Sequence, residues 1–300
     1  MSTRLYHIDN AKAIGMMLIV ASHIMPLTIV TESQFYKTWC GILASFYVPL
    51  FFILSGVFEP STSDFESVKR RMIKLIKYCV IFYVFGSLTY LSMFGTISWT
   101  GIRTQIGTVW FLFVLLWMTG IVGLLKHKKY SLLAFILLSM GGVILSYCNR
   151  SICQLGQALL CLPFYLFGYY AREYLKSPHF NYKIALSTLV GWIILYVCFY
   201  KEQNVSLNMV NQNYVAFYAE AILGSLSVIE ICKLIQWKAM AYYGRNTIVP
   251  MMVQMSLIFM MKRYLDISSM SVYFFTAAVI CVLSGLCIPV FRNRYYDLFK

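Results

Sequence analysis

The stretch CGILASFYVPLFFILSGVF, from Cys40 to Phe58, runs on without a single Asp, Glu, Lys, Arg or His. An α-helix rises about 1.5 Å per residue, so a run of this length spans nearly all of the roughly 30 Å hydrocarbon layer of a bilayer. Similar windows recur along the chain, approximately Ala11 to Val30, Met72 to Phe94, Ile106 to Leu125, Tyr130 to Cys148, Ile152 to Ala171, Lys183 to Tyr200, Asn213 to Cys232, Tyr242 to Met261 and Met270 to Phe291. They are continuous and lack the alternation of membrane β-strands, so they read as helices. The expected fold is an all-α, polytopic transmembrane bundle of about ten spanning helices.

Composition points the same way. Hydrophobic residues make up 60% of the 300 and charged residues 12%, half the roughly 25% of soluble domains. A soluble fold cannot hide so many apolar helical windows in one core, and a chain this apolar and aromatic is not disordered. The net charge of +14 raises the question of a nucleic-acid partner, which the placement of the charges answers. Alternating the connections between two sides puts nineteen Lys and Arg on the N-terminal side, among them Arg4, Lys12, Lys69, Arg70, Arg71, Lys74, Lys126 and Arg245. The other side holds only Lys37, Arg103, Arg150, Lys201, Lys262 and Arg263. This positive-inside bias predicts cytoplasmic termini and a multi-pass protein of the cell (plasma or inner) membrane, and it accounts for the charge with membrane lipid and no nucleic acid as partner.

Met1 to Asn10 lacks the features of a removable signal peptide, so the first apolar segment is expected to remain as an anchor. Connections are short and free of repeats, which predicts a single integral membrane domain over residues 1–300 with no separate soluble domain. Pro49, Pro163, Pro250 and Pro289 fall inside predicted spans and read as kinks that shape the bundle. The nine cysteines show no metal-ligand spacing and no paired redox motif, so no metal is expected. Cys148 and Cys153 flank a short outer loop, but reduced packing residues are the expected state.

Ionisable side chains at bilayer depth cost several kcal/mol and persist where they have a partner or a task. In the first apolar segment Asp9, Lys12 and His23 are offset by three and eleven residues. At roughly 100° per residue these offsets put all three within about 60° on one helix face. His23 then lies roughly 16 Å deeper than Lys12. An imidazole can take a proton from a hydroxyl or act as a nucleophile, and the ammonium below it can hold an anionic donor. The alternative is structural: Lys12 snorkels to the interface and His23 bonds a neighbouring helix.

The segment His7-Ile-Asp-Asn-Ala-Lys12, with ten residues before His23, and Phe51-Phe-Ile-Leu-Ser-Gly56 resemble the basic-x10-His and FFxxSG signatures of membrane acyltransferase family 3. Lys69-Arg70-Arg71 with Lys74, the run Val109-Trp110-Phe111-Leu112, and Gly168-Tyr169 match further elements of that family in the same order. The resemblance implies an integral membrane O-acyltransferase that moves an acyl group, usually acetyl, from cytoplasmic acyl-CoA to a sugar hydroxyl of a glycan or glycolipid. Tyr243-Gly-Arg-Asn-Thr247 is similar to the family's Gly-Lys-Asn-Ser element. Two departures stand out: Met251 and Gln254 occupy positions where many relatives carry Tyr and His, and the first basic residue is Lys12 instead of the commoner Arg.

Carried over residue by residue, the resemblance makes His23 the catalytic imidazole, as general base or transient acyl carrier, with Lys12 on the donor and Asp9 orienting Lys12. Lys69, Arg70, Arg71 and Lys74 become candidates for the phosphates of acetyl-CoA, although positive-inside bias alone would place them there. Trp110 is a candidate for the donor or acceptor passage, or an interfacial anchor. Ser55 and Gly56 are candidates for the acceptor site or for close helix packing. Glu220, an isolated carboxylate in a predicted span, is a further acceptor-site candidate, with Gln254, Asn246 and Arg245 as expected partners. No soluble-enzyme motif such as GxSxG, HExxH or a phosphate loop competes. The rival class is a proton-coupled transporter or flippase of a glycan or lipid precursor, weakened by the lack of an internal repeat.

Overall fold

The computed structural model describes residues 4–24, 34–61, 64–95, 109–148, 150–265, 267 and 269–294. The outer end of the first predicted span, the start of the fourth and Arg103 lie outside these residues. The described chain is almost wholly helical. Its helices are α1 (Tyr6–Ile24), α2 (Gln34–Val57), α3 (Phe65–Phe94), α4 (Trp110–Leu125), α5 (Ser131–Tyr147), α6 (Leu155–Tyr170), α7 (Arg172–Lys176), α8 (Tyr182–Phe199), α9 (Tyr214–Leu234), α10 (Lys238–Arg245), α11 (Ile248–Tyr264) and α12 (Met270–Arg294). A short antiparallel hairpin, β1 (Gln203–Asn204) with β2 (Met209–Val210), pairs Gln203 with Val210 and Asn204 with Met209 between α8 and α9.

Among the described residues, five helices are long and apolar enough to cross a membrane: Gln34–Val57, Phe65–Met93, Tyr182–Phe199, Tyr214–Leu234 and Met270–Arg292. The protein is thus an all-α membrane protein. Helix α8 exposes Leu186, Val190, Ile193, Ile194 and Val197, as a lipid-facing helix does when hydrocarbon is its solvent. Polar residues set the helix starts. The Asp64 carboxylate accepts from the Ser67 N–H at the head of α3, and Asn181 accepts from Lys183 and Ile184 at the head of α8.

The window Tyr242 to Met261 is not one helix. It is broken at Asn246 and Thr247, between α10 and α11. Pro250 therefore sits in the first turn of α11, where its missing N–H has no intrahelical partner to lose, and it starts a helix instead of kinking one. Pro49, Pro163 and Pro289 do lie inside helices.

The chain forms two compact units. The first comprises residues 1–43, 80–109 and 235–300, the second residues 44–79 and 110–234. In the first, α1 packs on α10, α11 and α12, and α11 on α12. In the second, α6 packs on α4 and α5, and α8 on α9. Both units depend on contacts too close for a side chain. A Cβ at Gly56 would overlap the Tyr165 carbonyl, one at Gly168 the Ile53 carbonyl, and one at Gly142 the backbone of Leu159 and Leu160. So α2 crosses α6, and α5 meets α6, backbone against backbone, as small residues permit in membranes. Gly168→Ala is expected to lower stability by about 1–3 kcal/mol, the range for overpacking a tight core, read as a lower thermal midpoint in detergent micelles.

Candidate functional site

Each unit carries a polar constellation. In the first unit, Asp9, Lys12 and His23 are each half-buried on α1, as are Ile14, Met17, Leu18, Ile19 and Ser22, while Ile8, Ala11, Ala13, Met16, Val20 and Ile24 are buried. The Asp9 carboxylate lies 3.5 Å from Arg4 Nε and interacts electrostatically with Lys12. Three contacts fix the helix behind this stripe. Gly244 of α10 approaches so closely that a Cβ there would overlap the Asp9 carbonyl oxygen and crowd the Ala13 nitrogen. Asn10 donates from Nδ2 to the Ile235 carbonyl at 2.5 Å. Higher up, the buried Tyr273 hydroxyl of α12 donates to the Ala21 carbonyl at 3.1 Å and accepts from Trp39 Nε1 at 3.0 Å.

His23 is half-buried, with its Nδ1 shielded from solvent. The Gln254 carboxamide of α11 faces the imidazole. Gln254, an acceptor-site candidate in the sequence, thus has His23 as a neighbour. Asn246 bonds the Tyr242 carbonyl at 2.7 Å, and Arg245 lies 5.8 Å from the Tyr242 ring centroid.

In the second unit the FFxxSG segment closes α2 and leads directly to Glu59, whose side chain has 0% exposure. The carboxylate accepts from both terminal nitrogens of Arg71, with Nη2 at 2.9 Å from Oε1. Lys126 Nζ donates to Oε1 at 2.7 Å and also to the Pro60 carbonyl, and Tyr165 Oη donates to Oε2 at 2.6 Å. Arg172 reaches the Glu59 carbonyl at 3.5 Å. Lys126 and Arg172 both lie over the Tyr169 ring, 5.6 Å and 4.9 Å from its centroid. The crossing at Gly56 and Gly168 brings Tyr165 and Tyr169 to this point. Burial alone would push the Glu59 carboxyl up, but the bonds from Arg71, Lys126 and Tyr165 outweigh it and hold the group below the ordinary carboxylate range.

Sequence reasoning missed Glu59, Lys126, Tyr165 and Arg172 as a group. A carboxylate just beyond an apolar span, ten residues before a basic run, was the available signal. Of the four basic residues expected at donor phosphates, Arg71 is committed to Glu59, whereas Lys69 lies 3.6 Å from the exposed Glu66, Arg70 bonds the Glu66 carbonyl, and Lys74 lies 5.8 Å from the Tyr78 ring centroid. Ser55 donates to the Phe51 carbonyl of its own helix at 2.7 Å. Trp110 meets Phe111 edge-on at 6.3 Å, and Phe111 stacks on Phe52 at 4.8 Å. Glu220 is fully buried and takes its hydrogen bond from Gln212 Nε2 at 3.0 Å instead of from the expected partners, while its Oε1 has no hydrogen-bond partner. A second buried pair, Glu230 with Lys233 at 2.6 Å, is completed by the Tyr174 hydroxyl at 2.6 Å.

The sequence profile of a family described as "Acyltransferase domain" matches residues 5–291. The chain belongs to membrane acyltransferase family 3 and is a membrane acyltransferase. No curated protein and no solved structure matches it.

Replacing Glu59 by Gln leaves Arg71 and Lys126 without their counter-charge, a loss expected to cost about 3–5 kcal/mol. Because its folded value is depressed, the Glu59 contribution is full above the ordinary carboxylate range and fades as pH falls through the folded value. Thermal melts of wild type and Glu59→Gln should therefore differ most near neutral pH and converge in acid.

Proposed function

We propose that this acyltransferase moves an acyl group, with acetyl as the expected one, from cytoplasmic acyl-CoA to a sugar hydroxyl of a surface polysaccharide or lipid-linked glycan. His23 is the reacting imidazole, Lys12 contacts the donor, and Asp9 holds Lys12. The single observation that carries this reading is that Asp9, Lys12 and His23 lie on one face of α1, each half-buried, with the Asp9 carboxylate in electrostatic reach of Lys12. A lysine that only snorkels has no need of a carboxylate one turn away, and a histidine used only for packing has no need to keep part of its ring open.

Coenzyme A is too polar to enter hydrocarbon, so only its thioester end has to reach the imidazole. Its phosphates stay at the cytoplasmic surface. Within the second unit, Lys69, Arg70 and Lys74 at the head of α3 are exposed. Cytoplasmic termini, about ten spans and residence in the plasma or inner membrane complete the reading. They rest on the charge bias along the sequence.

In the direct route the acceptor oxygen attacks the thioester carbonyl and its proton passes to the imidazole. The carbon–sulfur bond then breaks, and the imidazolium returns the proton to the leaving thiolate. The products are an O-acyl ester and the free thiol of coenzyme A. In the stepwise route the imidazole nitrogen attacks first and a transient acyl-imidazole passes the group on. Both routes need one imidazole nitrogen with a free lone pair.

Labelled acetyl-CoA, supplied with candidate glycans to the purified protein in nanodiscs, tests the proposal. Covalent transfer is expected, falling by about 10²- to 10⁴-fold in His23→Ala, with insertion and thermal midpoint retained. Undiminished transfer by His23→Ala overturns the role of the imidazole. Movement of unmodified glycan across vesicles without transfer points to a carrier.

A further inference from the structure

An imidazole works as a base or nucleophile only through the nitrogen that lacks a hydrogen, and the bond made by the other nitrogen sets which one that is. At His23 the buried nitrogen is Nδ1, and it has no completed hydrogen bond. The Gln254 carboxamide faces the same ring. Its Nε2 donates one hydrogen to the Met251 carbonyl of its own helix, 3.4 Å away, whereas its Oε1 has no partner. That oxygen is also buried. An amide oxygen can only accept. The two unsatisfied atoms complement one another in one arrangement alone, with the hydrogen on Nδ1. Buried polar atoms left unpaired are rare enough to require an explanation, and a matched pair on facing helices supplies it.

Among the described residues, the polar groups nearest this end of α1 are placed otherwise. The Tyr273 hydroxyl donates to the Ala21 carbonyl and accepts from Trp39, and Tyr36 packs edge-on against Tyr273 at 6.4 Å. Ser256 lies two residues beyond Gln254 and so on another face of α11. Asp9 and Lys12 sit at least three helical turns below.

We propose that Gln254 is a positioning residue that fixes the tautomer of His23: its Oε1 accepts from Nδ1–H and leaves the Nε2 lone pair toward the reacting hydroxyl or thioester. This deepens the acyltransfer reading and, for its catalytic consequence, rests on it. A neutral amide in this place orients the ring without adding a second buried charge. A carboxylate would raise the basicity of the imidazole, and a leucine would leave Nδ1 unsatisfied and the ring free to carry its hydrogen on either nitrogen.

The chain has four histidines, His7, His23, His127 and His179, so ¹⁵N-histidine labelling gives a spectrum in which loss of signals in His23→Ala assigns His23. At about pH 8, above the ordinary imidazole value of roughly 6.5, wild type is expected to show a protonated Nδ1 and an unprotonated Nε2 for this residue. Gln254→Glu should keep that pattern. Gln254→Leu should lose it and lower kcat for acetyl transfer about 10- to 100-fold while KM for acetyl-CoA stays unchanged. A wild-type spectrum with the hydrogen on Nε2 overturns the proposal, as does a Gln254→Leu protein that keeps both the Nδ1–H pattern and kcat. The wild-type spectrum decides the tautomer even if Gln254→Leu does not fold. It also decides it if the protein transfers no acetyl group, an outcome that sinks the acyltransfer reading alone.

Discussion

A carboxylate shut away from water remains an anion only where cations and hydroxyls replace its hydration, and Glu59 meets that constraint with three side chains from three segments. Arg71 comes from α3, Lys126 from just beyond α4 and Tyr165 from α6. Their donors converge only because α2 and α6 cross with no side chain between them at Gly56 and Gly168. Charge pairing and backbone contact are therefore one device. Widening the crossing by a methyl group draws Tyr165 away from the carboxylate, and losing the carboxylate leaves two cations buried without compensation.

The first unit uses the same combination for a different end. Gly244 brings the backbone of α10 onto α1 at the level of Asp9, and Tyr273 holds the Ala21 carbonyl near the other end. Lys12, between these fixed points, and His23, two residues past the second, are half-buried. The imidazole proposed to react needs a fixed backbone and one available ring edge, since small displacements of a reacting group are costly in rate.

Much of this was legible in the sequence, for physical reasons. Apolar runs of spanning length announce helices because lipid offers backbone groups no partner. The offsets from Asp9 to Lys12 and His23 announce a shared face because the helix period is rigid. The break within Tyr242 to Met261 was missed because hydropathy is indifferent to Asn246 and Thr247, although Pro250 three residues later marks a first turn well. The Glu59 constellation was missed because its members lie up to 113 residues apart, and each alone reads as an ordinary interfacial polar residue. Glu220 was singled out as a carboxylate within a predicted span, but Gln212 beyond a two-stranded hairpin is a partner that no helical period predicts.

The motifs that mark the family divide by what they touch. Phe51, Phe52 and Phe111 pack on one another, Gly56 and Gly168 meet opposing backbone, and Arg71 closes on a buried carboxylate. Apart from Arg71, whose side chain is 27% exposed, these residues are buried, and tight packing accounts for them. Asp9, Lys12 and His23 differ: they are ionisable, their spacing puts them on one face of a mostly apolar helix, and each is half-buried. In a membrane protein burial explains a motif residue by its partners, whereas partial exposure of an ionisable group at depth has no such explanation. That difference supports the proposal that the chemistry lies on α1, with the Glu59 network serving as a scaffold of the second unit.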